Sequence, residues 1–113
     1  MKSSTFEFMR ASVAVERRAL DALYEQMDEG EFLKALDYIL KSDLVVLSAC
    51  GSSGFAAKKF AHSLCCVECP AKFVPPSEAV HGGMGALKKD NLLILVSKGG
   101  KTDELIAVIC ADT

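Results

Sequence analysis

The pattern of apolar and polar positions divides the chain into two parts. Residues 1–42 carry apolar side chains at helical spacing, whereas residues 43–113 alternate short apolar runs with further helical stretches. Such alternation is typical of an α/β domain whose strands are joined by right-handed crossovers. We therefore expect one domain, residues 1–113, in which two leader helices precede an α/β portion.

The leader is predicted to contain two helices. The first covers about residues 5–27 and begins at a capping box formed by Ser4 and Glu7. Gly30 interrupts the pattern, and the second helix has one apolar face and ends near Lys41. These apolar faces are candidate contacts with a second subunit.

Three apolar runs predict strands at residues 44–47, 71–74 and 92–96. The first and third are apolar throughout, as in strands buried on both faces of a parallel sheet. A helix is expected between the first two runs, stopping before Pro70, and one helical turn is expected at residues 77–81. Residues from Thr102 onward fit a helix, which we favour, or a strand. A three-stranded sheet has exposed edges, so we expect association into a homo-oligomer.

The third run is followed at once by the sequence SKGGKTDE, residues 97–104. Glycines let a backbone approach a ligand closely, hydroxyls donate hydrogen bonds, and a helix start carries partial positive charge. Turn formation and helix capping would need the same glycines and hydroxyls, but two lysines beside a helix start favour an anion. The segment predicts a phosphate site formed by Ser97, Gly99, Gly100, Lys101 and Thr102.

The first run ends in a similar loop, GSSG at residues 51–54. In open parallel sheets, ligands bind outside the carboxyl ends of the strands, where such loops meet. Ser52 and Ser53 are therefore further candidates for phosphate contact, with helix capping as the alternative.

Composition narrows the range of partners. The net charge is −2, which gives no broad basic surface for nucleic acid. No export signal and no apolar run long enough for a bilayer is present, so we expect a soluble cytoplasmic protein with reduced, mostly buried cysteines. Cys66 and Cys69 have ligand spacing beside His62, but no second pair accompanies them, and no metal is expected. The lysine pairs at residues 58–59 and 88–89 are expected to be solvated.

Three segments together resemble a known family. They are CGSSGFAAKK (residues 50–59), PSEAVHGGMG (76–85) and SKGGKTDE (97–104). In this order they resemble the SIS (sugar isomerase) domain, and more narrowly its arabinose-5-phosphate isomerase branch. The resemblance implies a flavodoxin-like three-layer αβα sandwich that binds phosphorylated sugars and interconverts aldose and ketose phosphates in carbohydrate metabolism. It also implies that the protein forms dimers or tetramers. The implied reaction needs no metal or organic cofactor.

The resemblance also implies roles for individual residues. Ser97 and Thr102 would bind the phosphate, and Ser53 would lie beside it. Glu104 would act as the general base that moves a proton between two carbons through an ene-diol, and His81 would be an active-site histidine that assists it. In the absence of that chemistry, Glu104 would interact with the helix dipole and His81 would be a surface residue.

The chain also departs from the family pattern. Ser52 replaces the lysine of the first loop, Gly99 replaces the second serine of the phosphate loop, and Gly83 replaces an aspartate. The chain ends where the family has further strands and helices, so we expect a domain that is incomplete at its C-terminus. These departures leave a second interpretation open, a non-catalytic sugar-phosphate sensor. A P-loop nucleotide site is disfavoured because Leu95 stands where that motif requires glycine.

Overall fold

The computed structural model describes residues 2–100 and confirms an α/β fold. The element order is helix, helix, strand, helix, strand, helix, strand. The predicted element beyond Thr102 lies outside the described residues. The helices are α1 (Lys2–Gln26), α2 (Glu29–Lys41), α3 (Gly51–Cys66) and α4 (Pro76–Ala79), the strands are β1 (Leu44–Ala49), β2 (Ala71–Phe73) and β3 (Asn91–Val96), and a 3₁₀ turn spans Gly83–Ala86.

The two leader helices differ from the prediction at their starts. Ser4 lies inside α1, so the predicted capping box is wrong. The break between the helices falls at Asp28, whose Oδ1 accepts a hydrogen bond of 2.9 Å from the Glu31 amide. This N-cap starts α2 one residue before Gly30, which is tolerated inside the helix. Although α1 has 25 residues, no helix within residues 2–100 has both the length and the apolar content to cross a membrane.

The chain forms two compact units, Met1–Ala35 and a second that begins at Leu36. The boundary falls inside α2, so the last turns of this helix belong to the α/β unit. Ile39, on those turns, packs against the core of the sheet. The assignment of the whole chain to one domain stays a prediction.

The second unit is built on a parallel sheet in the order β2-β1-β3. Leu47 pairs with Phe73 on one side, and Ala49 pairs with Val96 on the other. The central strand β1 is buried from Val45 to its end, as its apolar pattern predicted. Parallel pairing on both sides brings the carboxyl ends of all three strands to one edge.

Each face of the sheet has its own core. On one face, alternate β1 residues such as Leu47 pack against Ala57, Ala61 and Leu64 of α3. On the opposite face, Val46 packs with Val74 after β2 and with Ala79 of α4. The sheet therefore lies between α3 and the shorter α4 segment, which is the layered arrangement expected.

Two expectations about burial are wrong. Every residue of β3 remains partly exposed, because β3 forms an edge of the described sheet and has a strand on one side alone. Among the described cysteines none is buried, although all four are free thiols as expected. Cys65 and Cys66 are exposed because they occupy the last turn of α3, and Cys110 lies outside the described residues.

We predict that Ser48→Ala will stabilise the protein. The Ser48 side chain is 0% exposed, and among the described residues its Oγ has no hydrogen-bond partner. A buried hydroxyl without a partner costs about 1–3 kcal/mol, so its removal should raise the free energy of unfolding by about 1 kcal/mol in a urea titration.

The matched control is Ser42→Ala. The Ser42 hydroxyl donates a hydrogen bond of 2.9 Å to the Ile39 carbonyl, so the same substitution there should lower stability by about 0.5–1 kcal/mol. A clear loss of stability in Ser48→Ala would contradict the assignment of an unsatisfied hydroxyl.

Candidate functional site

Loops from neighbouring strands meet at the carboxyl edge of the sheet. Ala49 and Val96 are paired, so the segments that follow them leave β1 and β3 at the same level. Phe73 pairs with Leu47, which brings the end of β2 to this edge as well. The predicted gathering of residues 51–54 with the start of the 97–102 loop at one edge is confirmed, and Lys101 and Thr102 lie outside the described residues.

The first loop leads directly into the N-terminus of α3. Gly51 has φ +57°, a left-handed conformation that favours glycine. Cys50, the N-cap residue, makes no side-chain capping bond, and the first turn contains no acidic residue. The first helical amides therefore present partial positive charge at the sheet edge, and no carboxylate of that first turn neutralises it. Ser52 is exposed and Ser53 is half-buried on this turn.

A close packing contact holds α3 against β1 and β2. A Cβ atom on Gly54 would lie 3.0 Å from the Ala49 carbonyl oxygen and 3.7 Å from the Phe73 ring. A larger residue here would push the helix start away from the strand ends. Gly54 thus fixes the position of the positive helix end.

The second loop begins with a turn at residues 97–100. The Gly100 amide donates a hydrogen bond of 3.0 Å to Ser97 Oγ, and Gly100 has φ +67°. Both glycines are exposed, and a Cβ on either would have no atom within 4 Å. Among residues 2–100, none packs against Gly99 or Gly100 within this distance. Glu104, the predicted base, lies outside the described residues.

A cavity of about 280 Å³ opens between the start of α3 and the end of β2. Neither Ser52 nor Ser53 is among the described residues that line it, and His81 is absent from that set too. Most of its walls are apolar. The lining residues are Ala49, Cys50, Gly51, Gly54, Phe55, Lys58, Phe73, Pro75 and Pro76.

Lys58 is the residue of this cavity that the sequence interpretation missed. Its side chain is exposed, as expected for a solvated lysine. Its Nζ, however, lies 5.3 Å from the centre of the Phe55 ring and 5.2 Å from that of Phe73. The i, i+3 spacing of Phe55 and Lys58 was a visible signal, but Phe73 enters from another element and could be found only in the folded chain.

His81 follows α4 and is not among the described residues that line the cavity. It is exposed, and its amide donates to the Glu78 carbonyl at 3.1 Å. The adjacent segment packs tightly, because a Cβ on Gly83 would lie 2.8 Å from the Glu78 carbonyl oxygen and 3.3 Å from Val74. Gly83 stands where the resembling family has aspartate, and this backbone would have to shift to accept any side chain there.

The cysteine-rich end of α3 lies at the opposite end of that helix from the cavity. His62 Nε2 and Cys66 Sγ are 3.6 Å apart, a weak contact between exposed side chains one turn apart. Within residues 2–100, no group of three or more potential ligands is arranged to hold a metal ion.

The fold and the edge site define a class: parallel-sheet α/β domains that bind ligands through loops at the carboxyl ends of their strands. The comparison with protein families makes the class specific. Residues 38–110 match the SIS domain family, and the chain belongs to that family.

Known proteins similar to the chain are sugar-phosphate isomerases. It is 34% identical over 102 residues to arabinose 5-phosphate isomerase KpsF of Escherichia coli, covering 89% of this chain and 31% of that protein. It is 32% identical over 111 residues to isomerase KdsD of Pseudomonas aeruginosa, covering 95% and 34%. The chain thus spans about a third of the length of the curated relatives it matches.

Solved structures show the same fold. A Listeria monocytogenes protein proposed to be a sugar-phosphate isomerase superposes with a TM-score of 0.92 at 40% identity, covering 98% of this chain and 59% of that one. An Escherichia coli CFT073 protein in complex with arabinose 5-phosphate gives a TM-score of 0.88 at 26% identity, with the same shares covered.

We predict that Gly83→Ala will destabilise the protein by about 1–3 kcal/mol. The added methyl would meet the Glu78 carbonyl at 2.8 Å, and relief requires movement of a packed backbone. The change should appear as a lower midpoint in thermal or urea unfolding followed by circular dichroism.

Gly85→Ala is the control for this substitution, in the same 3₁₀ turn. A Cβ on Gly85 would meet no atom within 4 Å, so its replacement should leave stability within about 0.5 kcal/mol of the parent. Equal unfolding midpoints for the two variants would contradict the tight packing at Gly83.

Proposed function

We propose that this chain binds a phosphorylated sugar at the carboxyl edge of its sheet and serves aldose–ketose isomerisation of the arabinose 5-phosphate type. The observation that carries the proposal is the meeting of two glycine-containing loops, after β1 and β3, at one end of a parallel sheet. The relatives named arabinose 5-phosphate isomerase, and the related structure in complex with arabinose 5-phosphate, support this choice of ligand.

The phosphate is assigned to the loop after β3. This loop supplies two hydroxyls, backbone amides and a cation around a helix start predicted at Thr102. The residues assigned to the phosphate are Ser97, Gly99, Gly100, Lys101 and Thr102. Ser52 and Ser53 are assigned to the same ligand, because they lie on the first turn of α3 at the same edge. A phosphate held away from the reacting carbons orients the sugar and lowers the entropic part of the barrier.

The proton transfer is assigned to Glu104, with His81 as its assistant. In an aldose–ketose conversion a base removes the proton from the carbon beside the carbonyl and returns it to the neighbouring carbon. Glu104 follows Thr102 by two residues in the sequence, directly after the proposed phosphate loop. No metal or organic cofactor is required for this chemistry.

A second candidate function is a non-catalytic sugar-phosphate sensor. It is favoured by Ser52, which stands where the first loop of the family has lysine, and by Gly83, which stands where the family has aspartate. A sensor would need the phosphate loop but no base.

We predict that Gly100→Ala will weaken binding of arabinose 5-phosphate about tenfold. The φ of +67° at this position costs alanine roughly 1–2 kcal/mol, which loosens the turn that presents the backbone to the phosphate. The measurement is isothermal titration calorimetry of the 113-residue chain, with a coupled assay for ribulose 5-phosphate in parallel.

Gly85→Ala, outside the proposed phosphate loop, is the control, since neither its φ nor its surroundings oppose a methyl group. Turnover with saturable binding supports the isomerase, and saturable binding without turnover supports the sensor. Absence of binding by the parent chain would refute both.

We further propose that the chain forms a homo-oligomer through α1. Its described side chains include none that is buried. Long apolar residues follow one another at spacings of three, four and seven along one stripe, and each is more than half exposed. An isolated helix with such a stripe gains stability by packing against a second copy. The stripe comprises Phe6, Met9, Val13, Leu20 and Leu23.

A cytoplasmic location of the protein likewise stays a prediction.

We predict that Leu20→Glu will shift the protein toward smaller species. Leu20 belongs to the stripe and is 65% exposed, and a carboxylate buried between two copies is strongly unfavourable. Multi-angle light scattering should report a dimer or tetramer for the parent and a lower mass for the variant. Ala22→Glu, on the opposite side of α1, adds the same charge and should leave the mass unchanged. A monomeric parent would contradict the assignment.

A further inference from the structure

The cavity beside α3 contains one charged side chain among its described lining residues. That residue is Lys58, and the remaining lining is apolar or glycine, with Cys50 at the loop. Within residues 2–100, Lys58 forms no ion pair, since the ion pairs present join Arg10 to Glu7 and Lys41 to Asp37. The described lining of the cavity therefore carries a net positive charge.

Two aromatic rings hold this charge in place. The Lys58 ammonium is within 5.3 Å of the ring centres of Phe55 and Phe73, so both rings attract it. Phe55 belongs to the same helix, whereas Phe73 ends β2. This arrangement restricts the amine to the cavity side of α3 and reduces the entropy lost when it binds a ligand.

The N-terminus of α3, beside the cavity, also carries positive charge. Gly51 is the first residue of α3 and Cys50 is its N-cap, and both line the cavity. The amides of the first turn point partial positive charge to this side. A ligand group with oxygen atoms would meet donors from the backbone and from Lys58, and an apolar surface from Phe73 and Pro75.

The cavity and the phosphate loop are separated by the width of the central strand. The cavity lies at the end of β2 and β1, and Ser97 follows β3 on the other side of β1. Two strand spacings amount to about 10 Å. An extended five-carbon sugar phosphate covers this distance, with its phosphate at one end and its carbonyl and hydroxyl oxygens at the other.

We infer that Lys58 binds the sugar end of the ligand. Its ammonium donates hydrogen bonds to the oxygens of the open-chain sugar, while the loop after β3 binds the phosphate. The inference rests on the proposed sugar-phosphate site and adds the residue that recognises the sugar. It also assigns a role to the cavity, to which the proposed phosphate site gives none.

The test compares Lys58→Gln with Lys59→Gln in the 113-residue chain. Lys59 is the next residue of α3, is exposed and does not line the cavity, so the two variants remove the same charge from adjacent positions. Binding of arabinose 5-phosphate and of inorganic phosphate is measured by NMR titration. Lys58→Gln should bind arabinose 5-phosphate about tenfold more weakly and inorganic phosphate as the parent does, and Lys59→Gln should change neither affinity.

Lys58→Arg provides a further check, because it keeps the cation and should retain binding to within about threefold of the parent. Equal affinities of Lys58→Gln and Lys59→Gln for arabinose 5-phosphate would overturn the inference. An equal loss of inorganic phosphate binding by Lys58→Gln would also overturn it, since Lys58 would then act on the phosphate. If the parent chain binds no sugar phosphate, the proposed function fails first, and that result is distinct from either of these.

Discussion

The parallel pairing of β1 with both of its neighbours is the constraint on which the site depends. The run from Leu44 to Leu47 is apolar on both faces, so it is stable only between two strands and two layers. Once β1 takes the central place, the ends of β2 and β3 are fixed at its carboxyl edge by register. The loops that follow are thereby brought to the same edge. Burial of one apolar strand therefore assembles a polar site.

Recognition and catalysis depend on different parts of such a domain. Recognition of a phosphate needs glycine turns, free amides and a helix start, which the main chain supplies once the strands are paired. Proton transfer needs particular side chains held at particular distances. A substitution such as Ser52 for lysine is therefore expected to reduce catalysis more than binding.

Sequence reasoning succeeded where a single local pattern determines the outcome. The apolar run of β1 and the glycines at residues 51 and 100 identified a central strand and two turns. It failed where two alternatives compete locally, as at the start of α2, where the carboxylate of Asp28 rather than the flexibility of Gly30 sets the boundary. The exposure of β3 was missed for another reason. An apolar run shows that a strand could be buried on both faces. The position of the strand in the sheet determines how much of it is buried.

Lys58 could not be identified in advance, because its environment is made by elements distant in sequence. On the helix alone it is one of two adjacent lysines, and both are exposed. The Phe73 ring reaches Lys58 because α3 packs closely on the sheet, and that approach depends on the missing side chain of Gly54, 3.0 Å from the Ala49 carbonyl oxygen. A larger residue at position 54 would separate the ring from the amine as well as the helix start from the strand. The charge in the cavity and the close packing of the fold are thus consequences of the same contact.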